Sequence, residues 1–350
     1  MRFLGYLRAA TGAPGLAYAE PPSPISGGFD AQIFGFRLDG APPHLMGPLV
    51  LRLLRRAASA ESVVREAAVQ NALVAMGFPA APVPLIETDS AVLGGAFLVM
   101  RRLEGVMLGR AFESLGEGRS AIELVRLALD APFGLRRMAL QWLAALRALH
   151  GVPPGRFATS LAAAGQAPEA FRAQSQLNFA EGLAAATGLE GLKPGFEWLQ
   201  RHHPTSDEQV VCHGDLHPLN IMVDGDRLTG VLDWGAVCIG PRELDLGAVA
   251  ALVATVPIGG PPALKPLMRL VMRWQGRTVV EGYRRLAALD PERLRYFEVY
   301  CCLRQLLWVG VAAARGAPAG IYASRDGVQA LSRRVYALCG VRVEIPMFRD

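Results

Sequence analysis

The feature that most constrains this chain is a run of polar residues between apolar segments, at residues 211–247, which reads VCHGDLHPLNIMVDGDRLTGVLDWGAVCIGPRELDLG. Asp215 lies in a loop directly after an apolar strand, and Asn220 follows at the start of a predicted hairpin that turns at 224–226. Asp233 ends the second strand of that hairpin. Because a hairpin brings its two ends together, we expect Asn220 near Asp233, with Asp215 beside them. Oxygen ligands suited to Mg²⁺ beside a separate carboxylate are what phosphoryl transfer requires.

A known family shows the same order of residues. His213-Gly214-Asp215-Leu216-His217-Pro218-Leu219-Asn220 followed by Leu232-Asp233-Trp234 resembles the Brenner motif and metal-binding aspartate of the aminoglycoside phosphotransferase/choline kinase-like family. That family is similar to protein kinases, with His-Gly-Asp in place of His-Arg-Asp. The resemblance implies ATP and Mg²⁺ as cofactors, Asp215 as catalytic base, and Asn220 and Asp233 as metal ligands. The alternative is a turn-rich loop with capping Asp and Asn side chains.

Three further features of this stretch bear on the loop. Leu219 stands where the family often has glycine, a departure that affects the shape of the loop and no ligand. His213 and His217 could form a metal pair, but hydrogen bonding that orients the loop is the favoured interpretation. Asp245 resembles a family position that braces the C-terminal lobe, and Glu243 is open to either a structural or a substrate role.

The resemblance also implies a fold. It is an α+β, bilobal, protein-kinase-like fold, in which a small antiparallel-sheet lobe with one helix precedes a large, mostly helical lobe. We expect residues 1–104 to form the nucleotide-binding lobe and residues 105–350 to hold the catalytic loop and the acceptor site. The patterns agree, because strands are predicted at 28–38 and 48–54 and a helix at 61–76.

The small lobe should hold the nucleotide phosphates. Ser26-Gly27-Gly28-Phe29 resembles the family's nucleotide loop, where the backbone N–H groups of Gly27 and Gly28 can approach phosphate closely. The family's strand lysine is absent, since Lys193 and Lys265 are the only lysines in the chain. Val50-Leu51-Arg52 looks like a subgroup related to domains fused to acyl-CoA dehydrogenases, which implies that Arg52 binds phosphate bidentately. Alternatively, Arg52 is an exposed strand residue, and Arg55 is a weaker substitute.

Two further positions complete the expected nucleotide site. Glu66 lies on the apolar face of its predicted helix, where it suits an ion pair with Arg52, although a solvated Glu61 or Glu66 is the alternative. The segment 97–105 resembles the family hinge, which implies that the Arg101 carbonyl and the Leu103 amide bind adenine, with Met100 behind them.

The charged residues that follow the motif suggest the chemical class of the acceptor. The region 248–289 contains Glu281 as its only acid, and it carries Arg269, Arg273, Arg277, Arg284 and Arg285. A polycationic aminoglycoside would favour an acidic pocket, so we expect a neutral, apolar or anionic small-molecule hydroxyl acceptor. Aromatic candidates for the pocket are Trp274, Tyr283, Tyr296, Phe297, Tyr300 and Trp308. The alternative is that these aromatics are helix core and the arginines a solvated face.

The composition of the chain limits the classes of partner and the location that we expect. The net charge of +5 is not organised as a basic run with interleaved aromatics, so no nucleic-acid partner is expected. The most apolar run, 246–256, is too short to span a bilayer, so no membrane partner is expected. Five irregularly spaced cysteines predict free thiols and a cytoplasmic location, and Arg8, Gly12 and Pro14 argue against a signal peptide.

Three classes of function stay open on the sequence alone. The favoured class is a small-molecule O-phosphotransferase, with an aminoglycoside or macrolide kinase as an alternative acceptor class. The second is a kinase-like nucleotide-binding module without catalysis, for which the missing strand lysine is the main support. The third, a nucleic-acid binder, is suggested by net charge alone. The sequence does not indicate an oligomeric state.

Overall fold

The structure is a computed structural model that describes residues 2–25, 31–54, 60–110, 121–205, 208–259, 262–316 and 320–345, with the backbone alone for 121–132. The chain forms two compact units. The first comprises Met1–Val106, Gly155–Ala167 and Met222–Gly235, and the second comprises Met107–Pro154, Pro168–Ile221 and Ala236–Asp350. The division expected at 104/105 is a single cut of the sequence, whereas the first unit also takes up two later segments.

The first unit is built on an antiparallel sheet with strand order β1-β2-β3-β5-β4. Its strands are β1 (Ala17–Pro24), β2 (Ala31–Asp39), β3 (Pro48–Leu54), β4 (Leu85–Glu87) and β5 (Phe97–Arg101). In the central strand β3, Arg52 lies opposite Ile33 of β2 and Leu98 of β5. The strand predicted at 28–38 is observed from Ala31 onward, and residues 26–30 lie outside the described part of the chain.

Two helices pack on the sheet of the first unit. They are α1 (Arg2–Thr11) and α2 (Ala60–Ala75). Side chains alternate along a strand, so Leu51 joins the cluster of α1 while Leu54 and Leu98 join the cluster of α2. The helix predicted at 61–76 is confirmed to within one residue.

A small sheet lies where the chain passes from one unit to the other. It consists of β6 (Val106–Met107), β8 (Ile221–Asp224) and β9 (Arg227–Val231), in the order β6-β8-β9. The pair β8–β9 is the hairpin expected from Asp224-Gly225-Asp226, and Gly225 has the positive φ of 61° that its tight turn needs. The helix α4 (Pro154–Ala163) lies almost wholly in the first unit.

The second unit is mostly helical, as expected. Its helices are α3 (Ala121–His150), α5 (Ala173–Ala186), α6 (Lys193–Arg201), α7 (Glu243–Thr255), α8 (Lys265–Arg284), α9 (Pro291–Ala314) and α10 (Arg325–Cys339). Two short antiparallel strands, β7 (Val210–Cys212) and β10 (Cys238–Gly240), flank the hairpin in sequence. The expected α+β composition, an antiparallel sheet with helices in one unit and a mostly helical second unit, is thus confirmed.

The helix α9 is the core of the second unit. Asp290 caps its N-terminus by accepting hydrogen bonds from the backbone N–H groups of Glu292 (2.9 Å) and Arg293 (3.2 Å). By length and composition α9 could cross a bilayer, with a mean hydropathy of 1.3, yet 72% of its apolar window is buried inside the protein. It packs against α7, α10, α6 and α5. These contacts are those of a core helix.

Candidate active site

The loop after β7 fixes the backbone of Asp215 on both sides. The Asp215 N–H donates to Nδ1 of His213 (3.2 Å), and the Asp215 carbonyl accepts from Nδ2 of Asn220 (3.0 Å). The Asp215 side chain is 36% exposed, while His213 is fully buried. The backbone is therefore held from within the loop, and the carboxylate is left accessible.

Gly214, directly before Asp215, can only be glycine in this conformation. Its φ is +79°, and a Cβ would lie 2.5 Å from the carbonyl oxygen of Ala236. Its N–H donates to Oδ1 of Asp245 (2.6 Å), and its carbonyl accepts from Nη2 of Arg304 (2.5 Å). Both ends of this residue are thus bonded to buried charged side chains from the helices α7 and α9.

Asp245, at the start of α7, collects the hydrogen bonds that hold the loop. Its Oδ2 accepts from the His213 N–H (2.9 Å) and lies 2.9 Å from Nε2 of His150. Because a carboxylate only accepts, Nε2 of His150 donates, and in a neutral ring Nδ1 accepts from the Tyr283 hydroxyl (2.6 Å). Burial is the largest single influence on Asp245 and opposes its ionisation, but the interactions with His150 and His213 together outweigh it and hold the pKa of this carboxyl below its ordinary value. Asp245 thus contacts the loop backbone, which is the bracing position expected of it.

A cluster with metal-ligand spacing also lies here. Among the described residues, ligand atoms of His150, Cys212 and Asp245 are all within 4.8 Å of one another and buried. Burial raises the pKa of the Cys212 thiol well above its usual range, so the neutral thiol is favoured there. His150 and Asp245 already bond to each other, which accounts for their proximity without an ion.

The two histidines of the motif both contact the loop. His213 accepts the Asp215 N–H, and Nε2 of His217 lies 3.3 Å from Nδ2 of Asn220 and 4.0 Å from Oδ2 of Asp215. These contacts agree with the favoured interpretation that they orient the loop.

The two expected metal ligands are placed by different units. Asn220 is 8% exposed in the second unit, and its Oδ1 accepts no hydrogen bond from any residue that the structure describes. Asp233 is exposed in the first unit and has φ +62°, the only positive φ of a non-glycine residue in the described ranges. Next to it, Trp234 is buried, donates from Nε1 to the Val231 carbonyl (3.1 Å) and packs edge-on against Phe78. That Asn220 and Asp233 lie close together stays a prediction.

The expected ion pair of the first unit is present. Nη1 of Arg52 on β3 donates to Oε2 of Glu66 on α2, and Oε1 of Glu66 accepts from Nε2 of Gln70 (3.2 Å). The side chains of Arg52 and Glu66 are 20% and 14% exposed. Arg52 is therefore not a solvent-facing strand residue, and Glu66 is not a solvated one. That this pair holds nucleotide phosphate stays a prediction.

The remaining nucleotide positions are only partly described. Gly27 and Gly28 lie outside the described residues. Met100 packs against the cluster beneath α2, and the Arg101 N–H donates to the Pro82 carbonyl (2.9 Å). Leu103 follows β5, and its side chain occupies the space in which a Cβ on Gly230 would lie. The resemblance implies that the backbone of Arg101 and Leu103 binds adenine, and this stays a prediction.

The aromatic residues of the expected acceptor region divide into two groups. Tyr283, Tyr296, Phe297 and Tyr300 are core residues, each at most 5% exposed. For these four residues the alternative interpretation, that the aromatics belong to the helix core, is the correct one. Trp274 and Trp308 are 41% and 49% exposed.

The outer face of α8 carries two adjacent stripes. Leu267, Leu270 and Trp274 form an apolar stripe, and the exposed Arg269, Arg273 and Arg277 form a basic one. These arginines form no ion pair with a residue in the described ranges. The region after the motif is therefore basic and apolar at its surface as well as in its sequence.

Sequence reasoning missed two residues that the loop depends on. His150 ends α3, outside the motif and far from it in sequence. Arg304 stands alone as a charge in the apolar half of α9, between Leu303 and the buried pair Leu306 and Leu307. A lone charge in an apolar helix is the signal that could have found Arg304, since an unpaired buried charge is costly.

The order of residues in the loop agrees with the family that sequence comparison finds. The chain matches the profile of the phosphotransferase enzyme family over residues 22–297. It therefore belongs to that family.

Individual relatives share only parts of the chain. Over 90 residues it is 34% identical to an aminoglycoside 3'-phosphotransferase of Streptomyces fradiae, covering 23% of this chain and 34% of that protein. Over 191 residues it is 28% identical to acyl-CoA dehydrogenase family member 11 of Rattus norvegicus, covering 53% of this chain and 22% of that protein. The chain thus spans between about a fifth and a third of the length of these relatives.

Solved structures share the whole fold. A thermostable mutant of aminoglycoside phosphotransferase APH(4)-Ia, in a ternary complex with AMP-PNP and hygromycin B, superposes with a TM-score of 0.58 at 16% identity. The superposition covers 97% of this chain and 98% of that one. At this identity the likeness shows the fold.

Proposed function

We propose that this protein transfers the γ-phosphate of ATP to a hydroxyl group of a small molecule, with Mg²⁺ and with Asp215 as the base. The observation that carries the proposal is the state of Asp215. Its backbone N–H and carbonyl are both hydrogen-bonded inside the loop, while its carboxylate remains 36% exposed. A base must be rigidly placed and still reach its substrate, and this arrangement meets both requirements.

The donor set fits a magnesium ion. The Oδ1 of Asn220, which accepts no hydrogen bond from a described residue, and the exposed carboxylate of Asp233 are hard oxygen ligands, which Mg²⁺ prefers. Two protein ligands leave room for water and phosphate. We assign Asn220 and Asp233 as the residues that would hold it. The ion, when bound, neutralises charge on the nucleotide phosphates.

The chain's own residues carry the remaining steps. Asp215 accepts the proton of the acceptor hydroxyl as that oxygen forms its bond to the γ-phosphorus and the bond to ADP breaks. Arg52, oriented by Glu66, donates hydrogen bonds to the nucleotide phosphates. We assign Gly27 and Gly28 to the phosphates, and Met100, Arg101 and Leu103 to the adenine.

The acceptor class is inferred from α8. Its basic and apolar stripes offer no acidic groups to a polycation, and Glu281 follows them only at the C-terminal end of the helix. We therefore propose a neutral, apolar or anionic hydroxyl compound. The relatives named for aminoglycosides support the alternative, an antibiotic kinase. The turnover assay described next tests both acceptor classes.

The test is ATP turnover by the wild-type chain and by Asp215→Asn, against a panel of neutral, anionic and aminoglycoside hydroxyl compounds. Asp215→Asn should lower turnover by roughly 10²–10⁴-fold, because the general base is lost. Its affinity for an ATP analogue with Mg²⁺ should stay within about twofold of the wild type.

A matched control is Asp326→Asn, which alters an exposed aspartate in the first turn of α10 and should retain full turnover. Unchanged turnover in Asp215→Asn would show that Asp215 is not the base. Nucleotide binding with no product from any acceptor would favour the non-catalytic module, and selective turnover of an aminoglycoside would overturn the acceptor class.

A further inference from the structure

We infer that Arg304 of α9 is a positioning residue for Asp215: it holds the Asp215 carboxylate and the preceding carbonyl in the orientation that proton transfer needs. The inference rests on the proposed role of Asp215 as the base. It assigns a function to a side chain 89 residues away in sequence that no part of the phosphotransferase motif contains.

The contacts reach both the backbone and the side chain of the loop. Nη2 of Arg304 donates to the Gly214 carbonyl at 2.5 Å and lies 3.5 Å from Oδ1 of Asp215. Arg304 and the two loop residues that it contacts all belong to the second unit. The other carboxylate oxygen, Oδ2, lies 4.0 Å from Nε2 of His217. Arg304 is thus the group in the described part of the chain that directly engages Oδ1.

Packing alone does not account for an arginine at this position. Arg304 is 9% exposed, and its Nε has no hydrogen-bond partner among the described residues. Its neighbours Leu303 and Leu307 are buried and apolar. A buried guanidinium with an unsatisfied nitrogen costs stability compared with an apolar residue of similar size. Burial is the largest single influence and lowers the pKa of Arg304, but the electrostatic interactions with its neighbours, that with Asp215 first among them, together raise it above its ordinary value, so the cation is retained.

The geometry shows what the cation does. The Gly214 N–H is bonded to the anionic Asp245 and its carbonyl to the cationic Arg304, so two opposite charges fix the residue that precedes the base. With that residue fixed, the Arg304–Oδ1 contact restricts rotation of the Asp215 side chain. Groups that orient a base act on the chemical step, because a displacement of about 1 Å can cost about 100-fold in rate.

The experiment compares Arg304→Met with Arg304→Lys. The first removes the charge at similar volume, and the second keeps the charge but loses the planar set of N–H donors of the guanidinium. Turnover of MgATP with water as acceptor is the probe, measured well below the melting temperature of each variant. We expect Arg304→Met to lower kcat about 100-fold with the KM for ATP changed less than about twofold. Arg304→Lys should recover about tenfold of that loss, since it restores one donor and the charge.

The matched control is Arg334→Met. Arg334 on α10 donates from Nε to the buried Glu298 on the same helix α9 (2.6 Å) and contacts no part of the loop among the described residues. This variant removes the partner of the buried Glu298 carboxylate of α9 and should keep the wild-type kcat per folded molecule. An equal fall in kcat for Arg304→Met and Arg334→Met would show that Arg304 serves stability only, and the inference would be wrong.

A double-mutant cycle separates this inference from the proposed function. If Arg304 acts through Asp215, Arg304→Lys should have less than a twofold effect in the Asp215→Asn background. An undiminished effect in that background overturns the positioning role while leaving Asp215 as the base. If Asp215→Asn alone has no effect, the proposed function fails instead. Arg304→Lys keeps a buried cation, so the cycle remains measurable where Arg304→Met does not fold.

Discussion

Replacing Gly214 by alanine should be the most damaging single-methyl change in the candidate site. A φ of +79° costs an L-residue about 1–2 kcal/mol. The new Cβ would also lie 2.5 Å from the Ala236 oxygen, about 1 Å short of a normal contact. Relieving that overlap moves the peptide away from Asp245 or Arg304, and a hydrogen bond to a charged group contributes about 1.5–3 kcal/mol. We therefore expect a loss of about 3–4 kcal/mol in the free energy of unfolding.

Activity should fall as well, because the displaced peptide immediately precedes Asp215. A shift of about 1 Å predicts a fall of about 100-fold in kcat. The assays are urea unfolding for stability and ATP turnover for activity. Gly340→Ala is the matched control, since Gly340 has φ +75° at the C-terminal end of α10 and nothing lies within 4 Å of its would-be Cβ. It should cost about 1 kcal/mol and leave kcat unchanged.

Equal losses of stability in Gly214→Ala and Gly340→Ala would refute this reasoning. Such a result would mean that the loop absorbs the overlap with Ala236 without loosening its bonds to the two charged side chains. Full turnover in Gly214→Ala would refute the second step, the coupling between the Gly214 peptide and the position of the base.

Two further changes test the groups that support the site. Arg52→Ala should raise the KM for ATP by about tenfold or more while Arg52→Lys recovers part of it, and an unchanged KM in both variants would assign the phosphates to another residue. Asp245→Asn should cost about 3–5 kcal/mol in urea unfolding, because the partners of a buried charge are left unpaired. The folded pKa of Asp245 is lowered, so its contribution is present above about pH 3.9, its unfolded pKa, and is lost as the pH falls through the folded value. The Asn variant should therefore show a smaller fall in stability between pH 5 and pH 3 than the wild type, and equal falls would contradict the assignment.

Local patterns predicted the elements of the fold that hold the site. The helix α2 follows from its apolar face. Glu66 on that face forms the expected ion pair with Arg52, because the alternation of side chains along β3 directs Arg52 toward the same helix. The hairpin after Asn220 follows from Asp224-Gly225-Asp226. These predictions succeeded because each depends on residues close in sequence.

The contacts that fix the loop could not be predicted in the same way. Tyr283, His150 and Arg304 reach the loop from helices whose packing depends on the whole second unit. The periodicity of α9 predicts a buried helix but does not say which loop packs against Arg304. For the same reason Tyr296 and Tyr300, expected as candidates for an acceptor pocket, turned out to be core residues.

Both parts of the candidate site use charged side chains neutralised within their own unit. Arg52 is paired with Glu66 in the first unit, and the loop of Asp215 is held between Asp245 and Arg304 in the second. Short strands such as β7 and β10 offer few ladder hydrogen bonds, so they cannot by themselves fix a loop that must place a carboxylate. Charged partners supply that rigidity, because hydrogen bonds to ions are roughly twice as strong as neutral ones. It follows that removing one partner exposes the other as an unpaired buried charge, so the loss in a single variant exceeds what the pair contributes. Only variants that preserve charge, such as Arg304→Lys and Arg52→Lys, separate the placement of the reacting groups from the stability of the unit that carries them.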